Sequence, residues 1–373
     1  MTVQCGVRVL SRLHKSVPAQ QPSSVPCKLA LIEESPGIDD LCSGKILTGY
    51  QGQLLNKALR LANIDRGELF ITYLFNEALP NDDIRKVGLR KWVSEEYYGY
   101  TPRRLPGTGY LPPEIEQQFE RVAKELEAVA PAVILPMGST CLWAFTGQTA
   151  ITKARGAIDR ATYIAPGAKI LPTFRAGHVH RAYKMLGTWI NDFKKASLEA
   201  GAGEQLTLSP RQLWLAPTLM DMEIFFERYL VGAECICVDI ETAKGQITDI
   251  GFGISSELAI SIPFVDYRQP SRSYWPTLDH EFSAWAWVQR VLDLPAPKLF
   301  QNGPYDCFWF VRNGLRVRNY CFDTRLQHHA LYPELPKDLA YMSSVYCNNG
   351  PWKLLADHSH VEDPFIGDTK RDN

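Results

Sequence analysis

The chain has 373 residues, 45% of them apolar, and a formal net charge of −1. That length fits two domains better than one, and the near-neutral charge excludes a globally basic nucleic-acid binder, so any such contact must come from local patches. No apolar run is long enough to span a membrane. The nine cysteines include no C-x-x-C pair, which excludes a zinc ribbon or a dithiol redox motif. Their odd number and the lack of a signal peptide point to a reducing cytoplasm.

Residues 1–26 read as a tail or an edge element leading into a Pro- and Ser-bearing linker. An α/β pattern follows. Lys28–Glu34 is a predicted strand, closed by Ser35-Pro36-Gly37. Leu54, Leu55, Ala58, Leu59 and Ala62 recur at helical spacing, and Leu69–Leu74 is a second strand. Asn76–Pro113 is rich in turn residues and reads as loop, with a short helix near Asp82–Lys91. Pro113–Ala130 is a helix with Ile115, Phe119, Val122 and Leu126 on one face. Ala132–Pro136 and Lys169–Phe174 are strands; Ser139–Phe145 and Arg181–Leu198 are helices. Strands alternating with helices predict a parallel sheet covered on both faces.

Residues 199–216 lack periodicity and form the expected linker. Leu219–Leu230 is an amphipathic helix, followed by three successive strands at Cys235–Ile240, Ile247–Ile254 and Leu258–Phe264. Then come a helix at His280–Leu292, a short strand at Lys298–Gln301, and helices at Cys307–Asn313, Thr324–Tyr332 and Pro336–Tyr346. Asp323 is placed to cap the second of these. A mixed sheet with helices is the expected second fold. Cys235 and Cys237 alternate with Ile236 and Val238 and are expected to pack in the core.

The chemistry concentrates in Val238-Asp239-Ile240-Glu241-Thr242. Asp239 and Glu241 are two apart, so a strand puts both on one face. Adjacent carboxylates repel unless a cation or shared proton lies between them, and hard oxygen ligands suit Mg²⁺ or Mn²⁺. Taken alone, the pair reads equally well as two solvated acids at a strand end. A third acid, Asp306, follows in Asn302-Gly303-Pro304-Tyr305-Asp306. Asp239-x-Glu241 with Asn302-x-x-Tyr305-Asp306 resembles the first two motifs of the DEDD-type 3′-5′ exonucleases. The run Asp323–Lys337 resembles the proofreading domain of phage family A DNA polymerases.

That resemblance covers about Cys235 to Trp352 and implies an RNase H-like fold and a two-metal phosphodiester hydrolysis. It implies that Asp239, Glu241 and Asp306 hold two Mg²⁺ or Mn²⁺ ions and that Asn302, Tyr305 and Thr242 position the terminal nucleotide. The family's fourth carboxylate has one counterpart, Asp363 with His358 in His-x-x-x-x-Asp spacing, followed at once by Pro364. The implied substrate is a single-stranded DNA 3′ end, and the implied partner a downstream polymerase chain or domain. The expected location is the cytoplasm, that of a bacterial host for a phage product. His328 and His329 are adjacent and do not form a paired metal site.

Leu29–Gly37, Gly44–Leu55, Pro131–Gly138 and Leu171–Phe174 resemble, in order, four blocks of the uracil-DNA glycosylase superfamily, its iron–sulfur branches above all. That implies a three-layer αβα domain. Departures bear on activity. The uracil-reading Asn is absent from Ile71-Thr72-Tyr73-Leu74, and the late His-bearing motif reads Pro172-Thr173-Phe174-Arg175-Ala176. Cys5, Cys27, Cys42 and Cys141 lack the cluster's spacing, so no iron–sulfur cluster is expected. Asp39 and Asp40 lie near the family's acidic position. Arg175, His178 and Arg181, with His180 and Lys184, are candidate DNA contacts at a loop and helix start. Arg85, Lys86, Arg90, Lys91, Arg103 and Arg104 form a second basic group; solvated surface charge is the plainer reading of both.

The sequence therefore predicts residues 1–26 as tail, 27–198 as a glycosylase-like domain, 199–216 as linker and 217–373 as a C-terminally incomplete exonuclease domain. Its expected function is the 3′-5′ exonuclease module of a phage-type polymerase. The alternatives are a catalytically incomplete DNA-binding or assembly module of a split polymerase, and a uracil-DNA glycosylase.

Overall fold

The computed structural model describes residues 16–79, 105, 109–207 and 210–348. Among these, 16–207 with 343–348 form one compact unit and 210–342 another.

The first unit is built on a five-stranded sheet. Its elements are β1 (Leu29–Glu33), α1 (Ile38–Ser43), α2 (Tyr50–Leu61), β2 (Phe70–Tyr73), α3 (Pro113–Val129), β3 (Val133–Pro136), α4 (Ser139–Thr146), α5 (Ile151–Ala154), β4 (Asp159–Arg160), β5 (Lys169–Ile170), α6 (Ala176–Arg181) and α7 (Leu186–Ala200). The strand order is β2-β1-β3-β5-β4, parallel except for β4. Every residue of β1, β2 and β3 is buried, as expected for strands covered on both faces. On one face Ala30, Ile32, Phe70 and Ile134 pack with Phe119, Val122 and Leu126 of α3. On the other, α7 lies against β1 and β3. The fold is the three-layer αβα arrangement expected. The predicted helix from Arg181 instead starts at Leu186, after a 3₁₀ turn at Tyr183–Met185. Residues 343–348 are tied to this unit by Lys195, whose Nζ donates to the carbonyls of Gly156, Ser344 and Cys347 at 3.0, 2.7 and 2.6 Å. Burial outweighs the nearby Asp192 charge and lowers the Lys195 pKa to about 8.

The second unit contains β6 (Gln212–Trp214), α8 (Leu219–Phe225), β7 (Ile236–Ala243), β8 (Gln246–Gly253), β9 (Leu258–Pro263), α9 (Leu278–Asp293), β10 (Lys298–Phe300), α10 (Pro304–Arg312), β11 (Tyr320–Asp323), α11 (Thr324–Leu331) and the start of α12 (Leu339–Tyr346). Its sheet order is β11-β10-β7-β8-β9-β6. β8 is antiparallel to β7 and β9, while β10 and β11 run parallel to β7. A meander of three strands with two parallel strands added beyond the first is the RNase H-like mixed sheet. Ile236, Val238, Ile240, Ile250, Phe252, Ile260 and Ile262 form one core with Trp287, Val288 and Val291 of α9 and Phe310 of α10. Among the described residues the opposite face of β7 is exposed at Cys237, Asp239 and Glu241. No helix among the described residues is long and apolar enough to cross a membrane.

Candidate active site

Strand periodicity sets the first part of the site. In β7 the side chains of Ile236, Val238 and Ile240 are buried and those of Cys237, Asp239 and Glu241 exposed. Cys237 thus shares the phase of the two acids, and Cys235 is only half-buried. The expectation that both cysteines pack in the core is corrected: helices cover one face of β7, so only one parity is buried. Partial burial, then the charges of Asp239, Cys235 and Asp306, push the Cys237 thiol up to about 11, which keeps it neutral near pH 7.

Asp306 approaches the same tripeptide from α10. Its carboxyl is 3% exposed, and Oδ1 accepts a hydrogen bond from the Ile240 amide, 3.1 Å away. The peptide between Asp239 and Glu241 is therefore held by the third acid of the predicted set. Burial, then the neighbouring Asp239 charge, raise the Asp306 pKa to about 7, against the smaller opposing effect of backbone hydrogen bonds.

The turn that delivers Asp306 is tightly determined. Asn302 adopts a left-handed φ of +65°, a conformation Asn tolerates better than most residues. A Cβ on Gly303 would lie 2.6 Å from the Tyr320 hydroxyl and 2.7 Å from Phe300 Cβ, so only glycine fits. Asp323 holds this turn from the next strand. Its Oδ2 accepts from Gly303 N at 2.9 Å and the Tyr320 hydroxyl at 2.7 Å. Its Oδ1 accepts from Asn302 N, Arg325 N and Leu326 N at 3.2, 2.9 and 3.2 Å. Asp323 is the N-cap of α11, as the sequence predicts, and it also locks the start of α10. Those hydrogen bonds outweigh its desolvation and lower its pKa.

The candidate nucleotide-positioning residues divide. Thr242 and Tyr305 meet, Oγ1 to hydroxyl, at 2.5 Å. Asn302 turns instead to α11, its Oδ1 accepting from Arg325 Nη1 at 2.7 Å. Sequence reasoning missed Asp249. The β7–β8 ladder slips between Glu241 and Thr242 and pairs Glu241 with Asp249, leaving Thr248 outside the register. Direct cross-strand partners share a face, so Asp249 adds a further acid beside Glu241. A regular two-residue hairpin would have put Thr248 there, which is why the pattern did not reveal it. His328 is 2% exposed and lies against Tyr332 and Tyr341. His358 and Asp363 lie outside the described residues.

Among the described residues no three His, Cys, Asp or Glu side chains close into a metal-holding group. The fit to a hard cation rests on a pair. Asp306 and Asp239 offer only carboxylate oxygens, and each raises the cost of the other's charge. Glu241 stands two residues further along the same strand face.

In the first unit the candidate DNA contacts sit differently. Arg175 is bound within the fold: Nη1 lies 2.7 Å from Glu34 Oε2 and Nε 3.4 Å from Glu33 Oε1. His178 packs on Phe174 with ring centroids 4.7 Å apart; burial and then Arg181 lower its pKa. Arg181 is exposed. Asp40 is buried and holds the loop after β1, accepting from the Tyr73 hydroxyl, Thr48 N and Thr48 Oγ1 at 2.7, 2.7 and 2.9 Å. All six residues of the second basic group fall outside the described residues.

No family model matches the chain. In sequence it is similar to a DNA polymerase of Bacillus phage SP01, 25% identical over 231 residues, which is 61% of this chain and 22% of the polymerase. It is also similar to a type-4 uracil-DNA glycosylase of Thermotoga maritima, 23% identical over 173 residues, covering 45% of this chain and 76% of the glycosylase. The chain thus resembles both a phage polymerase and a type-4 glycosylase. It spans about a fifth of the polymerase's length. Among solved structures, Escherichia coli RNase D aligns over 37% of this chain and 33% of its own, at TM-score 0.26 and 16% identity. The EXD2 exonuclease domain soaked in Mg aligns over 42% and 77%, at TM-score 0.24 and 13% identity. The fold assignment rests on strand order and direction, not on these superpositions.

Proposed function

We propose that the second unit is a metal-dependent 3′-5′ exonuclease module of a phage-type DNA polymerase, hydrolysing phosphodiester bonds at DNA 3′ ends. The observation that supports it most is the buried Asp306 carboxyl bonded to the amide between Asp239 and Glu241. It joins two acids from one strand to a third from a helix. In this reading Asp239, Glu241 and Asp306 hold divalent Mg²⁺ or Mn²⁺, and Asp249 stands beside them. A bound divalent ion would lower the pKa of a water and offset the negative charge of the phosphodiester.

The chain's own residues do the rest. Asp323 fixes the Asn302–Gly303 turn and hence the reach of Asp306. The hydroxyls of Thr242 and Tyr305, already paired, present donors and acceptors to the sugar end of a strand. Tyr305 is 47% exposed, so its ring is available for contact with a base. Residues 27–198 serve as a glycosylase-like DNA-binding or structural module. In it, the Arg at position 175 that replaces the family's His is held by Glu33 and Glu34.

The test is incubation of the full chain with end-labelled single-stranded DNA, with and without a uracil, in Mg²⁺ or Mn²⁺. The expected result is a ladder shortened from the 3′ end that vanishes in Asp239→Ala. Silence restored by a downstream polymerase chain would replace this reading with an assembly module. Alkali-sensitive breaks at uracil would make the chain a glycosylase.

A further inference from the structure

A cavity of about 720 Å³ lies within the second unit, past the end of β7. Lys244, Tyr267, Arg272, Ser273, Glu281 and Trp285 are among its lining residues. Two of these are cations in a backbone conformation that side chains disfavour. Lys244 has φ +50° and Arg272 φ +58°. Left-handed non-glycine residues are uncommon and persist only where the surroundings impose them. Lys244 occupies the first turn position of the β7–β8 hairpin, before Gly245 at φ +80°, where Asn or Gly is the favoured residue. Arg272 sits in a loop closed by the antiparallel Val265–Ser273 bridge, its carbonyl accepting from Asp266 N at 3.0 Å.

The charges in the cavity are not already matched. Among the described residues neither Lys244 nor Arg272 makes an ion pair, whereas the neighbouring Arg268 is bound to Asp266 at 2.8 Å. The cavity's acid, Glu281, accepts from the Ser273 hydroxyl at 2.8 Å. The Lys244 ammonium is steered by Tyr267, standing 5.2 Å from its ring centroid. The half-buried Trp285 ring, stacked on the buried Phe264 at 3.8 Å, gives a fixed aromatic wall. Two unmatched cations beside aromatic rings suit a chain of phosphates carrying bases. Strand rise puts Lys244 roughly 10 Å beyond Glu241; because Glu281 and Trp285 of α9 line the cavity, a strand that reaches both passes round the β7–β8 turn.

We propose that this cavity binds the phosphate backbone of a single-stranded nucleic acid, upstream of the end held at Asp239, Glu241 and Asp306. The proposal rests on the exonuclease reading. Its test exploits the two strained positions: glycine removes the cation and relieves the backbone at once. The double variant Lys244→Gly/Arg272→Gly of the full chain is compared with wild type by fluorescence anisotropy on a short labelled oligothymidylate, in EDTA, across a salt series. Affinity at low salt falls about 10-fold, and the slope of log K against log salt drops by about 1.4, the loss of two single-strand phosphate contacts. The melting temperature does not fall.

Unchanged affinity and slope overturn the cavity proposal, as does displacement of the strand by orthophosphate at equal ionic strength, which marks a free-anion site. If wild type binds no oligonucleotide, the proposal also fails. The exonuclease reading is scored separately, by loss of the 3′ ladder in Asp239→Ala. A ladder with an unaltered salt slope sinks only the cavity, and an altered slope without a ladder sinks only the nuclease.

Discussion

Each sheet carries buried acid where a strand ends, and the two are balanced in opposite ways. In the first unit burial raises the Glu33 pKa to about 7, and the next largest influence, Arg175, opposes the rise. Arg155 and Asp192, both wholly buried, pair at 2.7 Å, and Thr173 Oγ1 donates to the same carboxylate at 2.6 Å. Lys169 pairs with Glu199 at 2.6 Å. In the second unit burial also raises Asp306 to about 7, but the next influence, Asp239, pushes the same way, and Asp323 adds to it. One set of acids is neutralised by cations of the fold. In the other, acids stand against acids, an arrangement that supports the assignment of an external cation there.

The largest effect expected from this contrast is on activity. Asp306→Asn keeps the shape and an acceptor for Ile240 N but removes the charge. Cleavage of end-labelled DNA should fall about 10³-fold, the scale of a lost charge stabiliser at a reacting centre. Retained cleavage would strip Asp306 of its proposed role. Next comes Arg155→Met, which leaves Asp192 the Thr173 hydroxyl as hydrogen-bond partner and the Lys195 charge nearby. It should destabilise the first unit by about 3–5 kcal/mol, read as a shift in urea midpoint. A loss under 1 kcal/mol would show that this network does not organise the first unit. Third, Mg²⁺ at about 100 times its dissociation constant should stabilise wild type by about 2.7 kcal/mol. Asp306→Asn should abolish most of that, and Glu33→Gln none of it. Equal shifts in both variants would erase the proposed difference between the two acid sets.

Much of this was legible in the sequence because it follows a period. The three layers of the first unit come from apolar runs long enough to be buried on both faces, and the Asp239–Glu241 pair from the two-residue repeat of a strand. The same repeat places Cys237 with the acids; reading it as core ignored which parity the helices cover. Three strands are not predicted, the two-residue β4 among them. In β11, Tyr320, Cys321 and Phe322 are all exposed, and in β6 Gln212 and Leu213 are. Each of these two is held by backbone pairing and an aromatic contact, Tyr320 on Phe300 and Trp214 on Phe225, so they leave no alternation to read. The hub at Asp323 was visible only as a cap, because its second set of donors, Asn302 N and Gly303 N, comes from another loop. Likewise, Arg175 looked like a surface cation because nothing local in the sequence brings it to Glu33 and Glu34.

A smaller effect tests the neutralised acids by pH. Glu33 has a folded pKa above its unfolded one, so between pH 4.5 and about 7 the folded state holds the extra proton. Stability is therefore lost as pH rises through that window, and the loss is complete above it. Glu33→Gln should remove the dependence and gain on the order of 1–2 kcal/mol at pH 8, with no gain below pH 4.5. The range allows for the favourable Arg175 contact that the variant gives up. Urea midpoints at the two pH values measure it, and parallel curves for both proteins would mean that Arg175 already cancels the burial of Glu33.

The smallest effect belongs to the hydroxyl pair. Tyr305→Phe removes one partner of Thr242 but leaves a ring that is half in solvent, so the fold loses little. Thr242 keeps access to water when no DNA is bound, and stability should change by less than about 0.5 kcal/mol. If the pair orients the terminal sugar, its loss appears in cleavage, as a drop of up to about tenfold for about 1.4 kcal/mol of hydrogen bonding. The drop should be the same in Mg²⁺ and Mn²⁺, because the hydroxyls touch the strand and not the acids. A Tyr305→Phe defect that one metal repairs would instead place Tyr305 with the carboxylates, and would move the boundary between the metal-holding and strand-holding residues by one side chain.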